Sequence, residues 1–261
     1  MSNALAIARK ELNIYFSTPI AYVMFTLFTI IGSYFFLQLL GQYEQASLYF
    51  MQANSQEMMN RLNFQDMIFR ALFGNLGVIL IFIVPFLTMR LLAEEKHSRT
   101  IELLYTTPIG PADIVFGKYL AAVAILFCTL ALTLLYPVLL HVLARDAAGV
   151  EWRSVMLGYL GLFLLGAAYM SLGLFVSSLT DSQVVAALVT FVLLLMTWII
   201  GWAAGQTEGA AREFVTYLSS VSHLDSFSRG TLALKDVLYF LSVIVLGLFA
   251  THRAVEAHRW S

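Results

Sequence analysis

Six stretches of this sequence contain no Asp, Glu, Lys or Arg, and they constrain the fold more than any other feature. Together they make up about half of the 261 residues. About 20 apolar residues in a helix cross the hydrocarbon core of a bilayer, and five of the stretches are about that long or longer. The stretches lie at 20–40, 71–89, 119–143, 155–180, 182–207 and 237–251. The sequence therefore predicts an integral membrane protein.

The stretches are apolar on all sides instead of alternating, so helices are expected to span the membrane and not β-strands. We predict one all-α integral membrane domain over 1–261, with spans at about 20–40, 71–91, 119–143, 155–180, 182–205 and 232–252. The last stretch is short, so span 6 must recruit 232–234 and leave Lys235 to reach the headgroups. Span 4 carries four glycines, which predicts close packing among its neighbours. The polar stretch 41–70 is expected to form short helical segments at the membrane surface.

Composition excludes several other classes of protein. Only 12% of the residues are charged, against about 25% in soluble domains. The single cysteine, Cys128, excludes an internal disulfide framework. A net charge of −1 gives no sign of a nucleic-acid surface, so nucleic acid is not an expected partner.

Residues 1–18 precede the first span and form a predicted interfacial amphipathic helix. Its apolar stripe comprises Leu5, Ala8, Leu12, Tyr15 and Phe16, while its polar residues include Arg9, Lys10 and Glu11. The helix is expected to end near Thr18, because the residue before Pro19 is pushed out of helical geometry. The alternative is an ordinary solvated tail that happens to be helical.

Charge asymmetry gives the predicted orientation. With the N-terminus inside, the inner segments carry eight Lys or Arg residues and the outer segments carry seven. This small excess favours cytoplasmic N- and C-termini under the positive-inside rule.

Residues for catalysis or ion coupling are not evident in the sequence. The six stretches hold no charged group that could relay ions or protons, and no Cys, His or carboxylate cluster has metal-ligand spacing. Residues 110–119 lack the spacing and the final Ser or Thr of a P-loop. Ser171, with His141 or His223 as a base, leaves an intramembrane enzyme as the alternative from another class. The expected energy source is therefore a partner protein.

The loop between spans 2 and 3 carries the most informative pattern. Glu95 and Arg99 have i, i+4 spacing and Arg99 and Glu102 have i, i+3 spacing, so we expect one helix with both ion pairs. Ile101, Leu104 and Tyr105 lie on one side of it, and Pro108 ends it. Pro111 is suited to begin the next helix, with Asp113 in its first turn. Such a short amphipathic helix suits docking on another protein, and a solvated connector is the alternative.

The same loop resembles the signature of the ABC-2 type transporter permeases. The matching residues are Glu94-Glu95-Lys96, Thr100-x-Glu102-Leu103-Leu104, Thr107-Pro108-Ile109 and Gly117-Lys118. The opening Ala8-Arg9-Lys10-Glu11-Leu12 resembles that family's N-terminal interfacial helix. Residues 222–230 and 236–239 resemble its gliding-motility (GldF-like) branch. Where the family usually has Gly before the Thr, this chain has Arg99, which is expected to leave the helix intact.

The resemblance implies a permease without catalysis of its own and without a bound cofactor, since ATP would be bound by a separate cytoplasmic ABC ATPase subunit. It implies a second permease subunit, a bacterial inner-membrane location, and a cytoplasmic coupling helix that docks on the ATPase. An outer-facing accessory subunit is a further expected partner, beside the lipid bilayer. The implied coupling residues are Glu94, Glu95, His97, Arg99, Thr100, Glu102, Leu104 and Tyr105.

Two readings of function remain open within that class. The chain is expected to couple ATP hydrolysis either to export or to mechanotransmission that moves no solute. Its uncharged spans are compatible with lipidic, peptide or hydrophobic cargo, or with none.

Overall fold

A computed structural model describes residues 3–53, 65–100, 110–143, 150–203 and 209–259, and most of the residues in these ranges are helical. A π-helical turn, Gln65–Arg70, leads directly into the third helix. The helices are α1 (Asn3–Ser17), α2 (Pro19–Gln52), α3 (Ala71–Thr88), α4 (Ala93–His97), α5 (Pro111–Thr133), α6 (Leu135–Leu143), α7 (Trp152–Leu179), α8 (Gln183–Ala203), α9 (Ala210–Leu218), α10 (Ser220–Ser228) and α11 (Leu234–Arg259).

Six helical segments are long and apolar enough to cross a membrane, which confirms the predicted number of spans. They are Pro19–Gln52, Gln65–His97, Pro111–Val142, Trp152–Leu179, Gln183–Gly201 and Leu234–Ala257. The expectation of short surface segments after residue 40 was wrong for the first part of that stretch. Residues 41–52 instead continue α2, because no proline interrupts the helix there and Gly41 is accommodated within it.

Spans 2 and 4 form the centre of the bundle. In their apolar windows 78% and 72% of the residues are buried, against 28% in span 1 and 17% in span 5. The glycines of span 4 explain its position, as the sequence predicted. A Cβ at Gly158 would overlap the ring of Phe73 on α3, and one at Gly166 would lie 2.7 Å from a methyl group of Leu126 on α5. Because glycine has no side chain at these positions, the helix backbones can approach closely.

Span 3 is divided between α5 and α6 because of a proline. Pro137 cannot donate a hydrogen bond to the carbonyl of Thr133, four residues earlier. The hydroxyl of Tyr159 on α7 donates to that carbonyl at 2.7 Å. The Thr133 carbonyl therefore keeps a hydrogen-bond donor although span 3 is interrupted.

Helix α1 ends where the sequence predicts, and it packs one face against the bundle. Thr18 is extended (φ −102°, ψ 150°) before Pro19. The inward residues are Ile7, Ala8, Glu11 and Tyr15. Leu5 and Phe16, which belong to the predicted apolar stripe, are exposed on the surface of the bundle. The helix therefore has apolar side chains on two faces, and one of them remains available to lipid.

Candidate coupling site between α1, α4 and α5

The candidate site lies where α1 packs against the first turns of α5. Gly110 and Pro111 begin α5 and Asp113 lies in its first turn, as expected from the sequence. Gly117 permits the contact, because a Cβ there would lie 2.7 Å from both the Ala4 carbonyl oxygen and the Ile7 Cβ. This close approach brings the next residue, Lys118, against α1.

Lys118 is the centre of a buried group of charges. Its side chain is 2% exposed, and its Nζ lies 2.8 Å from Glu11 Oε1 on α1 and 2.8 Å from Glu95 Oε1 on α4. Lys10 Nζ lies 3.6 Å from the same Glu95 oxygen, but its side chain is 58% exposed. We call Lys10, Glu11, Glu95 and Lys118 the junction cluster. It joins α1, α4 and the start of span 3 by charge pairing within the protein interior.

A second contact holds α1 against the end of span 2. The Tyr15 hydroxyl donates to the Leu87 carbonyl at 2.6 Å, and the Arg90 guanidinium lies 4.4 Å from the centre of the Tyr15 ring. Burial raises the pKa of Tyr15 well above its usual value, so its hydroxyl remains a donor. Arg90 also lies 4.0 Å from Glu94 on α4. The end of span 2 is therefore fixed to α1 as well as to α4.

Helix α4 is anchored to span 4 by serine and lysine contacts. The Ser177 hydroxyl accepts hydrogen bonds from the backbone N–H groups of Leu92 and Ala93, each at 3.1 Å. It also donates to the Met89 carbonyl at 3.1 Å. Lys96 Nζ donates to the Ser178 carbonyl at 2.7 Å. A helix of only five residues is thus held by a neighbouring span, which supplies the N-terminal cap that its own sequence lacks.

The predicted helix in this loop ends earlier than the spacing of its charges indicated. Helix α4 ends at His97, and Arg99 has φ 56°, the left-handed conformation that glycine adopts most easily. The expected ion pair between Glu95 and Arg99 was wrong, because Glu95 faces Lys118 and Lys10 instead. The expectation that Arg99 leaves the helix intact was also wrong. The turn that glycine would favour is present here with arginine.

The predicted coupling residues have different positions in the structure. Glu94, His97, Arg99 and Thr100 are exposed, whereas the Glu95 side chain is only 12% exposed. Glu102, Leu104 and Tyr105 lie outside the described residues, as does their predicted contact surface. The interfacial residues Lys10, Glu11 and Tyr15 adjoin the coupling residues, and Arg9 is exposed. Among the described residues, Lys10, Glu11 and Tyr15 therefore share one site with Glu94 and Glu95.

Sequence reasoning gave no role in this site to three of its residues, Arg90, Lys118 and Ser177, although Lys118 belongs to the matching motif Gly117-Lys118. The first two are charged residues at the end of one uncharged stretch and the start of the next. That placement was a usable signal, since buried charges at span ends need partners. Ser177 gave none, because serine in a glycine-rich span usually serves helix packing.

The residues considered for an intramembrane enzyme do not form a nucleophile and base. Ser171 donates to the Ala168 carbonyl at 2.7 Å and packs against Gly247. His141 stacks edge-on against Trp152, with ring centres 5.6 Å apart. Both ring nitrogens of His223 have partners other than Ser171. In the described part of the chain, the arrangement of these residues suits packing better than catalysis.

Comparison with known proteins accounts for nearly the whole chain. Residues 5–249 match the family model described as ABC-2 family transporter protein. The chain belongs to this family. A search of curated proteins finds no match. The match makes this chain a multi-pass ABC transporter permease, and ABC-2 permeases normally partner with an ATPase subunit. The matched region of this ABC-2 protein includes every residue of the junction cluster.

Proposed function

We propose that this ABC-2 permease couples ATP hydrolysis by a separate ATPase subunit to conformational work in its spans. The observation that carries the proposal is the pair of 2.8 Å contacts from Lys118 to Glu11 and Glu95. Glu95 belongs to α4, next to the exposed residues that would meet a partner. Lys118 belongs to span 3 and Glu11 to α1. A displacement of α4 would therefore be transmitted directly to both.

The proposed docking surface comprises Glu94 and the exposed residues 97–100, together with the predicted contacts Glu102, Leu104 and Tyr105. The Glu94 side chain is 55% exposed although its backbone belongs to the anchored helix α4. A partner that pushes on this surface would act on a rigid element, since Ser177 and Lys96 hold α4 to span 4. The expected result is rigid-body motion of packed helices.

Burial supports a division of roles between the junction cluster and the docking surface. Glu95 was predicted to contact the ATPase, but its side chain is turned inward. We therefore assign to Glu95 the transmission of movement, and to Glu94 and the exposed residues that follow α4 the contact with the ATPase. Breaking transmission should leave ATPase binding intact, whereas breaking the docking surface should abolish it.

Further parts of the assembly follow from the same proposal. Spans 1 and 5 have the least buried apolar windows, so they are the faces available to a second permease subunit and to lipid. We place the docking surface on the cytoplasmic side of a bacterial inner membrane, with both termini on that side. Helices α9 and α10 would then face outward, where an accessory subunit could bind.

Membership of the gliding-motility (GldF-like) branch is also a proposal. It is supported by the motif at 222–230, which forms α10 with the turn that follows it. Export is the expected work, and mechanotransmission without solute transport is the second candidate.

The experiment is affinity purification of the tagged permease from its native membranes, followed by identification of bound proteins and measurement of ATP hydrolysis. We expect Glu94→Lys to remove the ATPase from the purified complex. We expect Glu11→Gln to retain the ATPase but lower its stimulation by the permease.

The matched control is Glu256→Lys, which reverses a charge of similar exposure on α11 at the same end of the bundle. It should leave both binding and stimulation unchanged. The proposal fails if Glu94→Lys and Glu11→Gln both behave like the wild type, or if the purified chain carries no ATPase.

A further inference from the structure

A cavity of about 680 Å³ lies at the opposite end of the bundle from the junction cluster. It is bounded by the hairpin of α9 and α10 and by the start of α11. Two of its lining residues, His223 on α10 and Asp236 on α11, are themselves 4% and 1% exposed. Neither takes part in the proposed coupling. A buried acid and a buried imidazole beside a polar cavity suggest a function of their own.

The hydrogen bonds of His223 define where one of its protons must be. Its Nε2 lies 2.8 Å from the Tyr217 carbonyl oxygen on α9. A carbonyl oxygen can only accept, so Nε2 must carry a hydrogen. The other nitrogen, Nδ1, lies 2.6 Å from Asp236 Oδ1.

A second proton must lie between Nδ1 and Oδ1. If it were absent, a lone pair on the imidazole would face a carboxylate oxygen across 2.6 Å, which is repulsive. The pair therefore holds one shared proton whether it exists as imidazolium and carboxylate or as neutral imidazole and carboxylic acid. Asp236 Oδ2 has no hydrogen-bond partner among the described residues, so the contact to His223 is the main compensation for this buried acid.

The pair connects three helices. Tyr217 belongs to α9, His223 to α10 and Asp236 to α11. The ring of Tyr239 on α11 stacks on His223 with centres 4.0 Å apart, and its hydroxyl donates to the Leu218 carbonyl of α9 at 2.9 Å. The hairpin is thus closed against span 6 around the imidazole ring.

Other titratable groups surround the pair on several helices. Arg212, Glu213 and Tyr217 of α9 and Lys235 of α11 line the cavity, and the Tyr217 ring lies edge-on to His223 with centres 5.5 Å apart. On α10, Asp225 is occupied by Arg70 at 2.7 Å and by Arg229 at 2.7 Å.

From α7, the Tyr169 hydroxyl lies 2.9 Å from that of Ser220. Helices α3 and α8 contribute no titratable side chain. Among the described residues, none of these groups bonds directly to Asp236.

We propose that His223 and Asp236 form a proton-operated latch that binds its shared proton from the cavity. With the proton bound, the latch closes the hairpin of α9 and α10 against α11. Loss of the proton at alkaline pH breaks the bond and releases the hairpin. The latch is independent of the coupling proposed above, because it uses neither the junction cluster nor the docking surface.

The test uses a buried reporter on the hairpin in a background that lacks the exposed native thiol, Cys128→Ser. Ser228→Cys is nearly isosteric at a site that is 2% exposed. Its rate of maleimide labelling is measured from about pH 7 to about pH 10, which lies above the ordinary pKa of histidine and reaches that of tyrosine. The same rates are measured in a second protein that carries Asp236→Asn in addition to Cys128→Ser and Ser228→Cys. An asparagine amide can donate to neutral Nδ1, so this variant keeps the bond without a shared proton.

At each pH, the labelling rate with native Asp236 is divided by the rate with Asp236→Asn. This ratio cancels the intrinsic reactivity of the thiol. We expect the ratio to rise about tenfold across this range, which corresponds to about 1.4 kcal/mol. The control Lys235→Gln removes a different titratable group of the cavity and should leave that rise unchanged. A ratio that stays constant would overturn the latch.

A second measurement needs no Asp236 variant. Imidazole nitrogen NMR of the full chain, with the His223 signals assigned by their loss in His223→Asn, should show Nε2 protonated throughout the titration. An unprotonated Nε2 at neutral pH would contradict the arrangement on which the latch depends.

Discussion

Replacing Lys118 by methionine is the sharpest perturbation of the junction cluster. The substitution keeps most of the side-chain length and removes the charge. Each 2.8 Å contact, to Glu11 and to Glu95, is worth about 6 kcal/mol before desolvation at an effective dielectric constant of about 20. Much of that is offset, because burying the charges is itself costly.

The measurable loss is therefore smaller than the gross attraction. Removing one partner of a buried ion pair typically costs about 3–5 kcal/mol, since the remaining charge is left uncompensated. Lys10 can still approach Glu95 from the surface, where it already lies at 3.6 Å. We therefore expect the lower end, about 3 kcal/mol, and a Tm about 6–12 °C lower.

The assay is thermal unfolding of the purified permease in detergent, followed by helical circular dichroism at equal scan rates. The comparison variant carries Lys118→Met together with Glu11→Gln and Glu95→Gln. It should recover most of the lost Tm, because no uncompensated charge remains. A Tm equal to wild type, or a triple variant as unstable as the single one, would refute the reasoning.

Three further substitutions test other parts of the structure. Arg99→Gly should raise the unfolding free energy by about 1 kcal/mol, because glycine adopts φ 56° without steric cost, and thermal unfolding against Arg99→Ala would measure it. Tyr159→Phe should lower the unfolding free energy by about 1–2 kcal/mol, because it leaves the Thr133 carbonyl unpaired. The loss should be smaller in a Pro137→Ala background, where the backbone supplies a donor, and a double-mutant cycle measures the difference. Burial raises the pKa of Asp225, but its two arginine partners outweigh burial and lower that pKa overall. The contribution of Asp225 to the stability of the folded protein should therefore be present above about pH 4 and be lost as pH falls further. Asp225→Asn should therefore lower the Tm at neutral pH, and this effect should shrink as pH falls below the ordinary pKa of aspartate, about 4.

The spans could be predicted from the sequence because an uncharged helix long enough to cross a bilayer is a local property. The partners of Lys118 could not, because Glu11 lies 107 residues away and its contact depends on how α1 packs at Gly117. Local spacing was also misleading at Glu95. Its separation from Arg99 suits a helical ion pair, but the chain leaves helical geometry after His97, and a buried cation offers Glu95 a stronger partner.

The outcome for α1 has a similar physical cause. Both of its faces carry apolar residues, so periodicity alone could not decide which face packs on protein. Glu11 decides it, because its carboxylate must face Lys118.

The cap that Ser177 provides for α4 also affects how the chain matures. Ser177 follows Leu92 by 85 residues, so it is synthesised long after the helix that it completes. Until span 4 enters the membrane, the first amides of α4 have no hydrogen-bond partner in Ser177. The order of translation thus delays completion of the proposed coupling segment until two further spans are in place. In a chain that ends before span 4, the proposed docking surface would rest on a helix whose first turn still lacks its cap.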